Sequence, residues 1–210
     1  MSERKKVRAF TVTYTVGNGL YINMTNRCTN ACTFCIRNND DGAYGSDSLW
    51  LSHEPSVEEI LSSVFERDLL QFSEIVFCGY GEPSLRLNEA RLVALSIKEK
   101  YPKMKIRMNT NGQSDLIFGE NTAPLFAGAF DSVSISLNAP DAEKYQEICR
   151  SIYGTDALDA VIAFASHVKE FVPEVAFSVV REFITDDEIE RCKQISLATG
   201  VPLRIRDYIS

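Results

Sequence analysis

Apolar and polar residues alternate with a period of two over residues 9–16, Ala-Phe-Thr-Val-Thr-Tyr-Thr-Val, and again over Leu20-Tyr21-Ile22-Asn23-Met24. Both runs are rich in β-branched and aromatic types, and Gly17-Asn18-Gly19 lies between them. This predicts a β-hairpin over residues 9–24, because glycine supplies the positive φ that a tight turn requires. After residue 55 the period switches back and forth. Strand-like runs at 74–78, 104–109, 131–137, 174–180 and 202–206 alternate with helical patterns near 87–100, 121–128, 141–150, 156–171 and 186–199. An earlier helix begins at Ser56-Val57-Glu58-Glu59 and carries Val57, Ile60, Leu61 and Val64 as its apolar positions. That tetrapeptide and Thr185-Asp186-Asp187-Glu188 read as capping boxes, in which hydroxyl and carboxylate each take a backbone N–H left unpaired at a helix start. Asp141 and Thr155 read as simple N-caps, and Gly200-Val201-Pro202 as the stop after the last helix.

Strands and helices in alternation imply βαβ units and a parallel sheet with right-handed crossovers. Counting the run at 20–24 gives six such strands, too few to close an eight-stranded barrel. Two α/β architectures remain: an open, curved partial (β/α)6 barrel of the TIM type with a short N-terminal hairpin extension, or a flat doubly wound sheet. In both, the working face lies at the C-terminal ends of the strands. The polar residues just past each strand are therefore expected to share one site. They are the cysteine-rich loop 28–35, then Gly79-Tyr80-Gly81-Glu82-Pro83, then Asn109-Thr110-Asn111-Gly112. Ser136-Leu137-Asn138, Ser178 with Arg181, and Arg206-Asp207-Tyr208 follow the last three strands.

Composition adds limits. With 45% apolar and 24% charged residues, the chain fits one globular domain over 1–210, without repeats or a visible linker. No stretch approaches the roughly 20 apolar residues of a membrane span, and the basic start lacks an apolar signal core. A cytoplasmic protein with reduced thiols is expected. The net charge of −7 argues against general nucleic-acid binding.

Cys28, Cys32 and Cys35 stand with three and then two residues between them, bracketed by Thr, Asn and Arg. Three readings compete: buried thiols, a zinc ion completed by a distant His or Cys, and an iron–sulfur centre. A structural zinc wants four protein ligands, and cubane clusters are commonly held by four cysteines. Three thiols after a strand suit a cluster with one open iron, which is a reaction site rather than a staple. Cys149 and Cys192 fall in helical patterns and read as core fillers, whereas Cys78 ends a strand and is a candidate to face the site. His53 and His167 read as surface residues. Residues 36–55 form a long aperiodic loop with Tyr44 and Trp50 embedded, either a lid or a packed loop. Arg37, Arg204, Arg206 and Tyr208 are candidates for an anionic substrate or a cofactor carboxylate. Against this stands pairing with surface carboxylates. Arg204 and Arg206 share one strand face, and so share a fate.

The Cys-x3-Cys-x2-Cys loop with aromatic Phe34 before the last cysteine, the Tyr80-Gly81-Glu82-Pro83 turn and the strand-end residues together resemble the radical S-adenosylmethionine (radical SAM) superfamily. The resemblance implies that Cys28, Cys32 and Cys35 hold a [4Fe–4S] cluster and that S-adenosyl-L-methionine chelates the fourth iron. Reductive cleavage would then give a 5′-deoxyadenosyl radical that abstracts hydrogen from a substrate. It places the cofactor among Phe34, Gly79, Tyr80, Gly81, Glu82 and Pro83, with Glu82 as acceptor for the ammonium. Asn109, Asn111, Ser136, Asn138 and Ser178 complete that set, and Cys78, Arg206 and Tyr208 are the catalytic candidates. Two departures stand out: Tyr80 replaces a glycine, and Asn109 occupies a position that is acidic in glycyl-radical activating enzymes. The motifs Tyr-Ile-Asn-Met-Thr-Asn-Arg-Cys and Ser-Ile-Ser-Leu-Asn-Ala-Pro-Asp-Ala are similar to the TatD-associated radical SAM proteins. Implied partners are a reduced flavodoxin or ferredoxin-type electron donor and an unidentified substrate. The chain ends after the sixth strand, so a lid at 36–55, a macromolecular substrate or a partner protein is expected to cover the open barrel. Glycyl-radical-enzyme activation and nucleoside or base modification are the alternative reactions. A non-enzymatic iron–sulfur electron carrier or sensor is the alternative of another class.

Overall fold

The computed structural model describes residues 10–208; Ala9, the first residue of the expected hairpin, lies outside the described residues. One seven-stranded sheet runs β1 (Thr13–Val16), β2 (Gly19–Ile22), β3 (Glu74–Phe77), β4 (Lys105–Thr110), β5 (Ser132–Ser136), β6 (Glu174–Val180) and β7 (Leu203–Arg206), in that spatial order. β1 and β2 are antiparallel, joined by the two-residue turn Gly17-Asn18 with Gly17 at φ +55°, and every later pair is parallel. The strand order decides between the two expected architectures. A doubly wound sheet reverses direction at a switch point; here the order never reverses. Right-handed crossovers then keep the helices on one face and curl the sheet into a partial barrel, with β1 and β7 as unpaired edges.

The helices are α1 (Val57–Phe65), α2 (Leu87–Lys100), α3 (Ser114–Phe118), α4 (Ala142–Cys149), α5 (Asp156–Val168) and α6 (Asp186–Thr199). Parallel strands covered on both faces usually read as unbroken apolar runs. These alternate instead. Leu20 and Ile22, Ile75 and Phe77, Ile106 and Met108, Val133 and Ile135, and Phe177 and Val179 join the core under the helices. The residues between them, including Tyr21, Arg107, Asn109, Ser134, Ser136, Ser178, Arg204 and Arg206, line the concave side. The outer face thus holds the fold together, and the inner face is left for chemistry.

Local signals and geometry agree closely at the helix ends. Both capping boxes form, at Ser56/Glu59 and at Thr185/Glu188, and the Asp141 side chain accepts from the Lys144 N–H. Gly200 ends α6 at φ +68°. Thr155 differs: its backbone is already helical and its side chain makes no cap bond. The expected helix at 121–128 is also different. Pro124 opens only a 3-10 turn over Ala123–Phe126, and a short helix α3 precedes it. Asp115 reaches across from α3, accepting from the Thr122 N–H at 2.8 Å and its hydroxyl at 2.7 Å, which anchors the turn. Among the described residues no helix is long and apolar enough to cross a membrane.

Thr185→Ala removes one half of the α6 capping box. Chemical denaturation should show a loss of about 1 kcal/mol with an unchanged slope against denaturant.

Candidate active site

At the C-terminal ends of the parallel strands lies a cavity of about 430 Å³. Cys28, Cys32 and Cys35 all line it, with Phe34 between the last two. Opposite them stand Cys78, Gly79, Tyr80 and Glu82 from the end of β3, and Asn109 and Asn111 from the end of β4. Ser136, Asn138, Ser178, Arg206 and Tyr208 complete the wall. Gly81 and Pro83 stay outside it. A second hollow of about 460 Å³ runs along the free edge of β1 and meets the first at Tyr14 and Tyr44, but contains none of the cysteines.

The cysteine loop is held from two sides. The end of α4 leaves carbonyls without helical partners, and the loop uses them: Ala31 N–H donates to Cys149 C=O at 3.0 Å and Thr33 N–H to Ile148 C=O at 2.9 Å. Arg150, at φ +49°, turns the chain so that Ile152 N–H returns to Thr29 C=O at 2.9 Å. Beneath the loop lies a buried polar network. Gln113 Nε2 donates to Asn30 Oδ1 at 2.9 Å and to the Tyr145 hydroxyl at 3.0 Å. Ser151 Oγ donates to Gln113 Oε1 at 3.2 Å, and Asn111 Nδ2 to Thr29 Oγ1 at 2.7 Å. Gln113 and Tyr145 are wholly buried, so each of these bonds replaces one to water.

The thiols have distinct surroundings. Burial pushes Cys28 up to about 12, with the nearby Glu82 charge adding to it; the Asn30 N–H, 3.3 Å from the sulfur, acts the other way. Cys32 is raised first by a hydrogen bond with the Cys149 thiol and then by burial. Cys149 is thus buried as expected, but it is more than a filler: it contacts a loop thiol and accepts from Asn138 Nδ2 at 3.4 Å. Arg37 does not line the cavity. It sits behind the loop, donates to Asn30 C=O at 3.2 Å, and its charge lowers both Cys28 and Cys32. Among the described residues no three Cys, His, Asp or Glu side chains gather tightly enough for a single metal ion. Three thiols on the wall of one cavity could each hold one iron of a cluster.

The strand-end loops explain their own sequence. An added Cβ at Gly81 would lie 2.3 Å from Thr25 C=O and 2.5 Å from Arg27 C=O, so this glycine permits the β3 loop to press against the approach to the cysteines. Tyr80 needs no glycine freedom. Its ring turns away to meet Trp50 edge-on at 5.2 Å, and its hydroxyl donates to Asp40 C=O at 2.7 Å. Glu82 is buried with both oxygens engaged: Oε1 accepts from Thr110 Oγ1 and Ser84 N–H, and Oε2 accepts from Asn111 N–H at 2.7 Å. It braces the ends of β3 and β4 against each other. Burial raises its carboxyl, and those same bonds oppose the rise. Asn109 is also occupied, accepting from Arg107 at 3.2 Å and bonding the Cys78 thiol, which burial raises. Asn138 is the exception. It sits at φ +58°, is buried, and its Oδ1 has no partner among the described residues although it lines the cavity.

Residues 36–55 wall the cavity with Ile36, Ala43, Tyr44 and Leu49. They are pinned to the end of β2: Asn23 donates to Leu49 C=O at 2.8 Å, and Asn26 pairs with Leu51 in both directions at 2.8 and 3.0 Å. An aromatic strap crosses from the cysteine loop to β7. Phe34 packs on Phe183 at 4.8 Å, Phe183 on Tyr208 at 5.3 Å, and the Tyr208 hydroxyl meets Asn39.

The Radical SAM superfamily model matches residues 22–194, most of the chain. The chain belongs to the Radical SAM superfamily. Enzymes of this superfamily use a [4Fe–4S] cluster and S-adenosylmethionine. Among curated proteins, one of Methanosarcina acetivorans named probable GTP 3′,8-cyclase is 29% identical over 174 residues, 82% of this chain and 48% of that protein. A GTP 3′,8-cyclase of Corynebacterium glutamicum is 28% identical over 198 residues, covering 90% of this chain and 48% of that one. This radical SAM chain therefore spans about half the length of the curated relatives it matches. The crystal structure of Streptococcus suis SuiB bound to precursor peptide SuiA shares the fold, with a TM-score of 0.68 at 16% identity, over 91% of this chain and 39% of that one.

Most strand-end residues expected in the site meet there. His53 and His167, read as surface residues, lie outside the cavity: His53 stacks on Phe10 at 4.3 Å, and His167 faces Asp115 at 3.8 Å. Arg107, Tyr14, Tyr21 and Ser134 line the cavity without having been singled out. Counting back two positions from Asn109 and Ser136 along their strands finds Arg107 and Ser134.

Gln113→Leu leaves Asn30, Tyr145 and Ser151 short of partners in a buried place, each lost bond costing about 1–3 kcal/mol. Denaturation should show a loss of at least about 2 kcal/mol, and the anaerobically reconstituted variant should retain less iron and sulfide than the parent.

Proposed function

We propose that this chain is a radical SAM core in which Cys28, Cys32 and Cys35 hold the [4Fe–4S] cluster and the strand-end cavity receives S-adenosylmethionine. The observation that carries this reading is that the three thiols and the polar ends of all six parallel strands line one cavity. Bound there, the cluster and S-adenosylmethionine would supply a 5′-deoxyadenosyl radical that takes a hydrogen atom from substrate.

The chain's own residues bind, orient and shield. Asn138 Oδ1, buried and unanswered, is an acceptor awaiting a donor such as the ammonium of the methionine moiety. Glu82 serves that end of the site by fixing the β3 and β4 loops, so the ammonium contacts fall to the carbonyls of Gly79 and Tyr80 and to Asn138. Ser136 and Ser178 offer hydroxyl groups to the carboxylate and ribose, and Asn111, engaged with Thr29 and Gln113, steadies the wall behind them. Arg37 supplies a positive charge behind the thiols, which favours their deprotonated, metal-binding form. Residues 36–55 act as a lid, with Ala43 and Leu49 buried on the cavity wall to keep water from the reacting atoms.

A cavity of about 430 Å³ suits one ligand of ordinary cofactor size. The substrate then sits at the mouth, between Tyr44 and β7, with its remaining bulk or a partner protein covering the open side. Reduced flavodoxin or ferredoxin is the electron donor in this reading. In this reading Cys78, half-buried and within the fields of Arg107 and Arg206, acts on a substrate held there.

Anaerobic reconstitution with dithionite and S-adenosylmethionine should yield 5′-deoxyadenosine from the parent. The triple variant Cys28→Ala, Cys32→Ala, Cys35→Ala should yield none. Equal product from both, or none from a parent that carries its full complement of iron and sulfide, would overturn the reading.

A further inference from the structure

The inner face of β7 carries two guanidinium groups that nothing nearby neutralises. Arg204 and Arg206 stand two positions apart and both line the cavity. Among the described residues neither has a carboxylate oxygen within 4.0 Å, nor a hydrogen-bond partner. The other arginines around the site are all answered. Arg107 is clamped by Glu74 at 2.7 and 3.0 Å, Arg86 by the carbonyls of Met24 and Pro55, and Arg27 by Glu54 at 2.7 Å. Asp207, the carboxylate next in sequence, leans toward Arg181 at 4.0 Å. Both side chains are exposed at the rim of the cavity, about 6.7 Å apart along one strand, so one anion that reaches both would gain two guanidinium contacts at once.

The surroundings favour an oxygen-rich ligand. Ser178 stands beside Arg204 in the sheet register, and Ser134 and Ser136 continue the hydroxyl-bearing floor on β5. Arg206 also acts across the cavity, where its charge is felt at Cys78 and Tyr44. A guanidinium fork binds a carboxylate or a phosphate in two-point fashion. Two forks spaced along a strand need an anion with several outward oxygens, which a phosphate ester or diphosphate has and a single carboxylate lacks.

We propose that Arg204 and Arg206 form a subsite for the phosphate group of a phosphorylated organic substrate at the open edge of the barrel. Only the word substrate rests on the radical SAM reading above; the anion site itself stands on the unpaired charges. The test is calorimetric titration of the anaerobically reconstituted full chain with inorganic pyrophosphate, glutarate and S-adenosylmethionine, at low and at high salt. Pyrophosphate should bind saturably and more weakly at high salt. Arg204→Gln and Arg206→Gln should each weaken it by about tenfold. Arg204→Lys and Arg206→Lys should recover part of the loss, which guards against a variant that has merely misfolded. Affinity for S-adenosylmethionine should stay within about twofold of the parent in every folded variant.

Three results would overturn the proposal: no pyrophosphate binding by the parent, equal binding by the double Gln variant, or preference for glutarate. A loss of S-adenosylmethionine binding in the Gln variants would also overturn it, because the arginines would then serve the cofactor carboxylate. Failure to form 5′-deoxyadenosine leaves this titration readable, since it measures anion binding and not radical chemistry.

Discussion

The whole site depends on keeping a short, polar, cysteine-bearing loop in one conformation without the help of regular secondary structure. Such a loop cannot satisfy its own amides. Here they are satisfied by the last carbonyls of α4 and by a buried network in which Gln113 is the hub between Asn30, Tyr145 and Ser151. A fully paired polar network in a low-dielectric place is rigid, because each member left alone is expensive. The three thiols are therefore positioned by groups more than 80 residues away in sequence. That is what lets a loop act as a scaffold.

The same economy shapes the sheet. Its outer face is apolar and packed under helices, and its inner face is a patchwork of Tyr, Cys, Arg, Asn and Ser. Glu74 neutralises Arg107 at the bottom of the barrel, so the polar interior is tolerated near the base. Toward the top the pairing stops, and Asn138 and the arginines of β7 are left with capacity to spare. Unmet capacity rises toward the C-terminal edge, where the fold's topology says a ligand belongs.

Much of this was legible in advance because two rules are strictly local. Period-two alternation marks strands, and strand ends mark sites, so Ser136, Asn138, Ser178 and Arg206 fell into place from counting. Capping boxes at Ser56 and Thr185 fixed helix starts for the same reason. What escaped were roles defined by partners far along the chain. Glu82 reads as a free carboxylate until Thr110 and Asn111 are seen to occupy it. Cys149 reads as a core filler until Cys32 is found against it. Tyr80 looks like a flaw in a glycine turn until Trp50 and Asp40 supply somewhere for its ring and hydroxyl to go. Arg37 looks like a ligand for a substrate until its guanidinium is found on the back of the loop.

The aromatic strap has one more consequence. Phe34, next to Cys35, leans on Phe183, which leans on Tyr208, which returns through Asn39 to the segment just after Cys35. The circuit joins the first parallel strand's loop to the last strand of an otherwise unclosed sheet. Side chains thus do the work that a missing ladder of backbone bonds does in a complete barrel. The cysteine loop and β7 at the opposite margin are thereby tied into one mechanical unit.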